Sequence, residues 1–447
     1  MKKSLLLTLA AGAVCATQLS AADLYITGAT AFRKQVHDAC LKIFDVQPTP
    51  VYDTGKIAGG DGTSNNGDPV WTMTGNVGNK VTALGATPLT IHANFSGSVQ
   101  GISTVENGTK LLWLSSTGQL ITNSPTVGFS DCSSASTPFP VSATTSFAEE
   151  PVAVQPMVMV KSVAGNGLTN INNVTWEQLK YLIQIGRTPL SVWTTKSADH
   201  GSYVYLINRT KDSGTRRTTF AQVLDGYNQT AGTYIYDVTN NGFYKTTSTV
   251  NGPVGWSNAV FQVGVVGAAG NGNVNLNWGS GYVGGSDVKT EMQNNNPNNQ
   301  AIGYLSIADA KGITGVNYSQ ILPFNGIWPT AAGAGISGNI GTNDYSPITS
   351  GAYGLWAAEV LVYPTVNPQT LPAGDQNLTD TQLGNQTATG TILGVLDYQT
   401  KFSNPGGPVI LGSLEAEIEA SKAGGATAIR LSDMVSARAS VGGTIVP

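Results

Sequence analysis

The chain has 447 residues, 40% hydrophobic and 11% charged, which is enough for a large core and roughly two or three domains. Its formal net charge of -4 excludes a broad basic field for nucleic acid, so any anion site has to work through local donors. Gly, Asn, Ser and Thr take the place of Lys and Glu, a composition common in secreted and cell-surface proteins.

The N-terminus reads as an export signal. Met1-Lys2-Lys3-Ser4 is a basic start, and Leu5 to Val14 is an apolar run too short to span a bilayer comfortably. Ser20-Ala21-Ala22 offers small residues where a signal peptidase reads, so cleavage is expected after Ala22. Val14 and Thr17 around Cys15 fit a lipoprotein signal poorly. The mature protein is expected to be periplasmic or secreted, with no membrane insertion. Export leaves Cys40 and Cys132. A disulfide between them and two buried free thiols both stay open, because sequence does not give their Cα separation. Neither has histidine neighbours at metal-ligand spacing.

Asp23-Leu24-Tyr25-Ile26 alternates like a short strand, and Thr27-Gly28-Ala29-Thr30-Ala31 is a small polar turn. Phe32 to Phe44 has helical periodicity, with Phe32, Val36, Ala39, Cys40 and Ile43 on one face. Thr27 or Thr30 is then placed to cap that helix. Tyr52 to Asn79 is polar and Gly-rich and reads as a solvated loop. Its Asp61 to Asp68 segment has the alternating oxygens of a calcium loop but lacks the closing Glu. Leu89 to Phe95 is a strand that runs into the turn Ser96-Gly97-Ser98 and then a helix. Val127-Gly128-Phe129-Ser130-Asp131 repeats the pattern, and Asp131 taken alone is most simply a helix N-cap.

Val152 to Val160 is a strong apolar strand. Thr175 with Gln178 predicts a capping box opening an amphipathic helix that Gly186 ends. The next unit is the most informative. Tyr203-Val204-Tyr205-Leu206-Ile207 reads as a strand, Arg209-Thr210-Lys211-Asp212-Ser213-Gly214-Thr215 as a polar turn, and Phe220, Val223 and Leu224 fall at helical spacing. Backbone N–H groups at a helix start favour an anion. Gly214 permits close approach, Ser213 and Thr215 add hydroxyls, and Arg209 adds a planar charged fork. A small tetrahedral anion, phosphate first, is the expected ligand.

Asp225 to Asn299 is rich in Gly, Asn and Thr and is expected to hold strands or a surface flap, with Gly284-Gly285-Ser286-Asp287 leading a short helix through Met292. Ala301 to Leu305 is a strand, Ile307 to Lys311 a small helix, and Tyr353 to Tyr363 strand-like. Gly390 to Phe402 and Ser413 to Lys422 read as helices. Recurring strand–turn–helix units argue for an α/β protein, with the turns at the carboxyl ends of strands where ligands sit in open sheets.

Four turns in this order resemble those of the phosphate-binding subunit of phosphate ABC importers, a type II periplasmic binding protein family. They are Gly28-Ala29-Thr30-Ala31-Phe32, Ser96-Gly97-Ser98-Val99-Gln100-Gly101, Ser130-Asp131, and Arg209 with Ser213-Gly214-Thr215. Asn173 to Trp193 and Ala301-Ile302-Gly303-Tyr304 resemble two supporting segments. The likeness covers most of Asp23 to Tyr363, and little beyond Pro364 aligns. Three departures stand out: Ala31 where the family has an aromatic, Val99-Gln100 where it prefers glycines, and Lys211 where it often has Asp. Lys211 is compatible with a site widened to more acidic oxyanions or organic phosphates.

The resemblance implies a two-lobed type II periplasmic-binding-protein-like α/β fold with hinge strands. Lobe 1 would comprise 23–155 plus 345–447 and lobe 2 would comprise 156–344, with hinges near Met157–Val160 and Tyr353–Val362. It implies that Thr30, Ser98, Asp131, Arg209, Ser213, Gly214 and Thr215 hold the anion. Asp131 would accept the proton that phosphate carries and sulfate lacks. The expected function is that of a monomeric exported protein, without cofactor or metal, capturing phosphate or a related oxyanion for a membrane ABC permease. A cell-surface or matrix scaffold on the same fold is the alternative, favoured by the Gly/Asn-rich 225–299 insert and the C-terminal extension. A secreted phosphatase is the weaker one, because His37, His92 and His200 form no metal-like cluster.

Overall fold

A computed structural model describes residues 22–57, 65, 67–78, 88–137, 147–163, 167–209, 213–223, 234–237, 242–245, 276–277, 281–282, 284–293, 300–311, 313, 320–331, 344–364, 414, 417–419, 428–438 and 445–446. The export signal, Lys211, most of the Asp61 to Asp68 loop and the helix expected at Gly390 to Phe402 lie outside these residues.

The first elements are β1 (Ala22–Gly28), α1 (Arg33–Ile43), β2 (Val51–Tyr52), β3 (Val70–Gly75), β4 (Leu89–Asn94), α2 (Ser98–Asn107), the hairpin β5 (Leu111–Leu114) and β6 (Leu120–Asn123), and β7 (Val127–Ser130). The long strand β8 (Phe147–Lys161) follows, then α3 (Trp176–Ile185), β9 (Arg187–Pro189), α4 (Ser191–Thr194), β10 (Tyr203–Ile207) and α5 (Gly214–Gln222). Two hairpins come next, β11 (Tyr234–Asp237) with β12 (Gly242–Lys245) and β13 (Leu276–Asn277) with β14 (Gly281–Tyr282). The last elements used below are α6 (Gly285–Met292), β15 (Ala301–Ser306), α7 (Ile307–Lys311), β16 (Ile321–Leu322), α8 (Ser346–Thr349) and β17 (Trp356–Pro364).

The fold is mixed α/β. One large sheet runs β2-β3-β4-β1-β7-β17-β8-β15-β10-β9, with β16 on β8. β4, β1 and β7 are mutually parallel, as are β10 and β15. β8 and β17 run antiparallel to each other from Phe147↔Pro364 to Pro156↔Trp356, so the sheet is two strand sets joined by two long strands.

The core divides the same way. One buried cluster gathers Leu24, Ile26, Phe32, Val36, Trp71 and Ile91 with Val152, Ala153 and Leu361. Another gathers Leu179, Leu206, Phe220, Ile302 and Tyr304 with Val154, Met157, Leu355 and Ala357. β8 thus passes from one core to the other at Ala153/Val154, and β17 passes between Ala357 and Leu361. A register shift falls there, between Glu359 and Val360. Such an irregularity bends a strand locally.

Several expectations change. Tyr52 to Asn79 is not only a loop, because β3 lies inside it and pairs along the whole of β4. Its sequence Val70-Trp71-Thr72-Met73 is buried on both faces, so no alternation marks it. Neither threonine caps α1: the N-cap position is Phe32, Thr27 Oγ1 donates to the Asn94 carbonyl (2.7 Å), and the Thr30 carbonyl accepts from Arg33 Nη1. Cys40 and Cys132 are free buried thiols in separate clusters, which decides between the two open alternatives. Burial pushes the Cys132 thiol up to about 12 and moves Cys40 higher still. Among the described residues no helix is long and apolar enough to cross a membrane.

Candidate functional site

The carboxyl ends of β1, β4 and β7 on one side and of β10 on the other carry the four turns. An α-helix departs from the turns after β1, β4 and β10, and a short 3-10 turn follows β7. Gly28 ends β1 with φ +119°, and a Cβ there would stand 1.9 Å from the Phe129 carbonyl oxygen. Only glycine fits where β1 and β7 come so close. Gly97 N–H donates to the Gly28 carbonyl (2.8 Å), which ties the start of α2 to the end of β1. α2 begins without a side-chain cap, with Ser98 as its first residue. α5 begins at Gly214, capped by Ser213, whose Oγ accepts from the Arg216 N–H (3.2 Å).

These two helix starts meet around Asp131. The Asp131 N–H donates to Ser98 Oγ (3.3 Å). Thr215 Oγ1 donates to Asp131 Oδ2 (2.9 Å) and Thr218 Oγ1 to the Asp131 carbonyl (2.9 Å). A Cβ on Gly214 would lie 2.5 Å from Ser98 Oγ and 3.1 Å from Asp131 Cβ. Gly214, Thr215 and Thr218 form one face of α5, and that face is applied to the end of β7. Asp131 is therefore not an N-cap. The short 3-10 turn after it, Ser134–Ser136, is entered from Ser133, and the Asp131 carboxylate reaches α5 instead.

The predicted residues thus divide. Ser98, Asp131, Gly214 and Thr215 are brought into direct contact, with Ser213 holding the helix start. Arg209 stays with its own strand set. Its N–H donates to Asn208 Oδ1 (2.9 Å) and to the Tyr304 hydroxyl (3.3 Å), and its carbonyl accepts from Arg216 Nη1 (2.9 Å). Its Nη1 lies 3.5 Å from where a Gly285 Cβ would be, and Asp309 Oδ2 flanks the same glycine. Thr30 sits at the end of the Gly28 turn with its carbonyl on Arg33.

Sequence reasoning missed three buried groups. Arg216 and Arg217 of α5 are 4% and 2% exposed, so this helix start carries more buried positive charge than Arg209 alone. The fields of Arg216, Arg209 and Arg217 reach the Tyr304 hydroxyl, which burial nevertheless pushes up to about 12. Glu359 of β17 is wholly buried, and burial together with the Asp131 charge pushes its carboxyl well above the usual range. A lone acid inside the apolar run Trp356 to Tyr363 was the signal available for it.

The histidines sit elsewhere in the molecule. His37 contacts Asp38 and Tyr52, His92 lies between Asp23 and the Leu114 carbonyl, and exposed His200 lies 3.4 Å from Ser191. Among the described residues no group of three or more His, Cys, Asp or Glu could hold a metal ion.

No protein-family model matches the chain, and no curated protein matches it. Solved structures similar to it include a proposed substrate-binding protein of a phosphate ABC transporter, with bound phosphate, from Clostridium perfringens. That likeness has 13% identity and a TM-score of 0.39, and covers 92% of this chain and 99% of that one. An ABC-type phosphate transport receptor from Vibrio cholerae matches at 14% identity and a TM-score of 0.36, covering 83% of this chain and 97% of that one. Likeness at this level carries no argument about ligand or partner.

Proposed function

We propose that the chain is an exported solute-binding protein that captures phosphate or a related oxyanion between two lobes, 23–155 plus 345–447 and 156–344. The observation that carries this reading is the convergence of the α2 and α5 starts on Asp131, sealed by the Thr215 hydroxyl. First-turn N–H groups lack intrahelical acceptors and favour an anion. Thr30, Ser98, Ser213, Gly214 and Thr215 would supply neutral donors and Arg209 a charge-assisted one. Asp131 would accept a ligand proton, which favours phosphate over sulfate. β8 and β17 would act as the hinge, and the loaded form would dock on a membrane ABC permease.

A titration of the full chain with inorganic phosphate tests this. Wild type is expected to bind, and Arg209→Ala to weaken binding by roughly 10- to 100-fold, the loss of one charge-assisted hydrogen bond. If wild type takes up neither phosphate, arsenate nor an organic phosphate at millimolar concentration, the capture reading fails.

One observation favours the scaffold reading. The Thr215 and Thr218 bonds to Asp131 already hold the two strand sets together through protein groups alone. Under that reading the same titration is silent and Thr215→Val lowers stability instead.

A further inference from the structure

Glu359 stands beside Asp131 as a consequence of sheet register. β17 pairs antiparallel with β7 through Leu361↔Phe129 and Val360↔Ser130, so one further step along each strand brings Glu359 to Asp131. Both side chains are buried, at 0% and 2% exposure. Asp131 Oδ2 is occupied by Thr215, whereas Asp131 Oδ1 and both Glu359 oxygens meet no N–H or O–H donor among the described residues. The strand register nevertheless sets the two carboxyl groups side by side, close enough for the Asp131 charge to act on Glu359. Two carboxylates are both acceptors, so they can share a hydrogen bond only with a proton between them.

The elements packed on β17 indicate which group holds that proton. β7 and the residues after it bring Asp131 and Cys132. α5 brings Arg216 and Arg217. α2 brings Glu106 in its last turn. β8 places Ala153 opposite Glu359, with Glu149 and Glu150 further along. The Asp131 carboxylate accepts from the Thr215 hydroxyl, whereas the neighbours of Glu359 along the strands are Ala153, Ala358, Val360 and Asp131 itself.

We propose that Glu359 is a specificity-determining residue of this cleft: a neutral carboxylic acid that donates to Asp131 Oδ1 and keeps the pair at one negative charge, so that a protonated oxyanion is admitted. This rests on the capture reading and adds the control of charge at its acceptor. Were both groups ionised, two adjacent negative charges would face any incoming anion in a site shielded from water. Ionisation of Glu359 at high pH is thus expected to expel phosphate. Glu359 lies at the β17 register shift, where the strand leaves one core for the other.

The test uses the full chain and inorganic phosphate, with calorimetry from about pH 6 to about pH 10, a window that lies between the ordinary carboxyl and lysine ranges. Glu359→Gln keeps an N–H donor toward Asp131 and never ionises. It is expected to bind within about threefold of wild type at neutral pH and to lose less affinity at alkaline pH. Comparing the two proteins at each pH cancels the titration of phosphate itself. Glu359→Leu removes the donor and is expected to weaken binding about tenfold or more. Infrared spectroscopy of the ligand-free protein gives a readout independent of binding. Wild type should show a protonated carboxyl band at neutral pH that Glu359→Gln lacks, with circular dichroism confirming the fold of each variant. Phosphate binding without that band, or a Glu359→Leu profile matching wild type, overturns the role of Glu359 alone. The band without binding of any oxyanion overturns the capture reading, and with it the role of Glu359 toward an anion.

Discussion

Lys161, at the end of β8, shows how a single buried charge shapes its surroundings. Its Nζ donates to the carbonyls of Leu168 (2.8 Å) and Ile171 (2.7 Å) and so closes the turn that leads to α3. Burial pushes its ammonium down from 10.5 to about 8. Between those values the unfolded chain holds a proton that the folded chain does not, so stability rises with pH across that window. Lys161→Met should abolish this alkaline gain and leave two carbonyls without their donor, a net loss of about 1–3 kcal/mol. Urea denaturation at neutral and at alkaline pH measures both effects, and an unchanged slope would refute the assignment. The candidate site was partly legible at this scale. Ser98, Asp131, Gly214 and Thr215 were readable because each lies in a short polar turn between apolar segments. Glu359 was not, because its importance comes from the strand that register places beside it.

Among the elements, α3 follows its sequence most directly. Thr175 Oγ1 accepts from the Gln178 N–H, the Gln178 side chain accepts from the Thr175 N–H (2.9 Å), and Gly186 ends the helix in the left-handed region. Thr175→Ala should lower stability by about 1 kcal/mol, measurable as a shift in denaturation midpoint without a change in slope. The same reasoning failed at α1, where small polar residues near the start suggested a threonine cap and Thr27 instead bonds β4. Capping is decided within four residues and is visible locally. A threonine at a strand end can serve either its own helix or the neighbouring strand, and only tertiary pairing decides. β3 was missed for the related reason that burial on both faces removes the alternation by which strands are read.

At the scale of the molecule, the two cores are separate and the starts of α2 and α5 meet at Asp131, so a small steric change between α2 and α5 should report on how the halves meet. A Cβ at Gly214 would lie 2.5 Å from Ser98 Oγ and 2.7 Å from Ser98 Cβ. Rotating the serine relieves the first clash but not the second. The first helical turn accepts alanine readily, so the cost of Gly214→Ala falls on the approach of α5 to α2, not on α5 itself. The expected result is a chain whose halves stay apart, with Thr215 withdrawn from Asp131 and phosphate affinity lowered about tenfold or more, the scale of an overpacked contact. Small-angle scattering should then give a larger radius of gyration than wild type. Adding Ser98→Gly removes both clashing atoms and leaves only the 3.1 Å approach to Asp131 Cβ, so the double variant should return toward the wild-type radius. If Gly214→Ala is as compact as wild type, or if Ser98→Gly fails to relieve it, the α2–α5 contact is not what sets the distance between the halves.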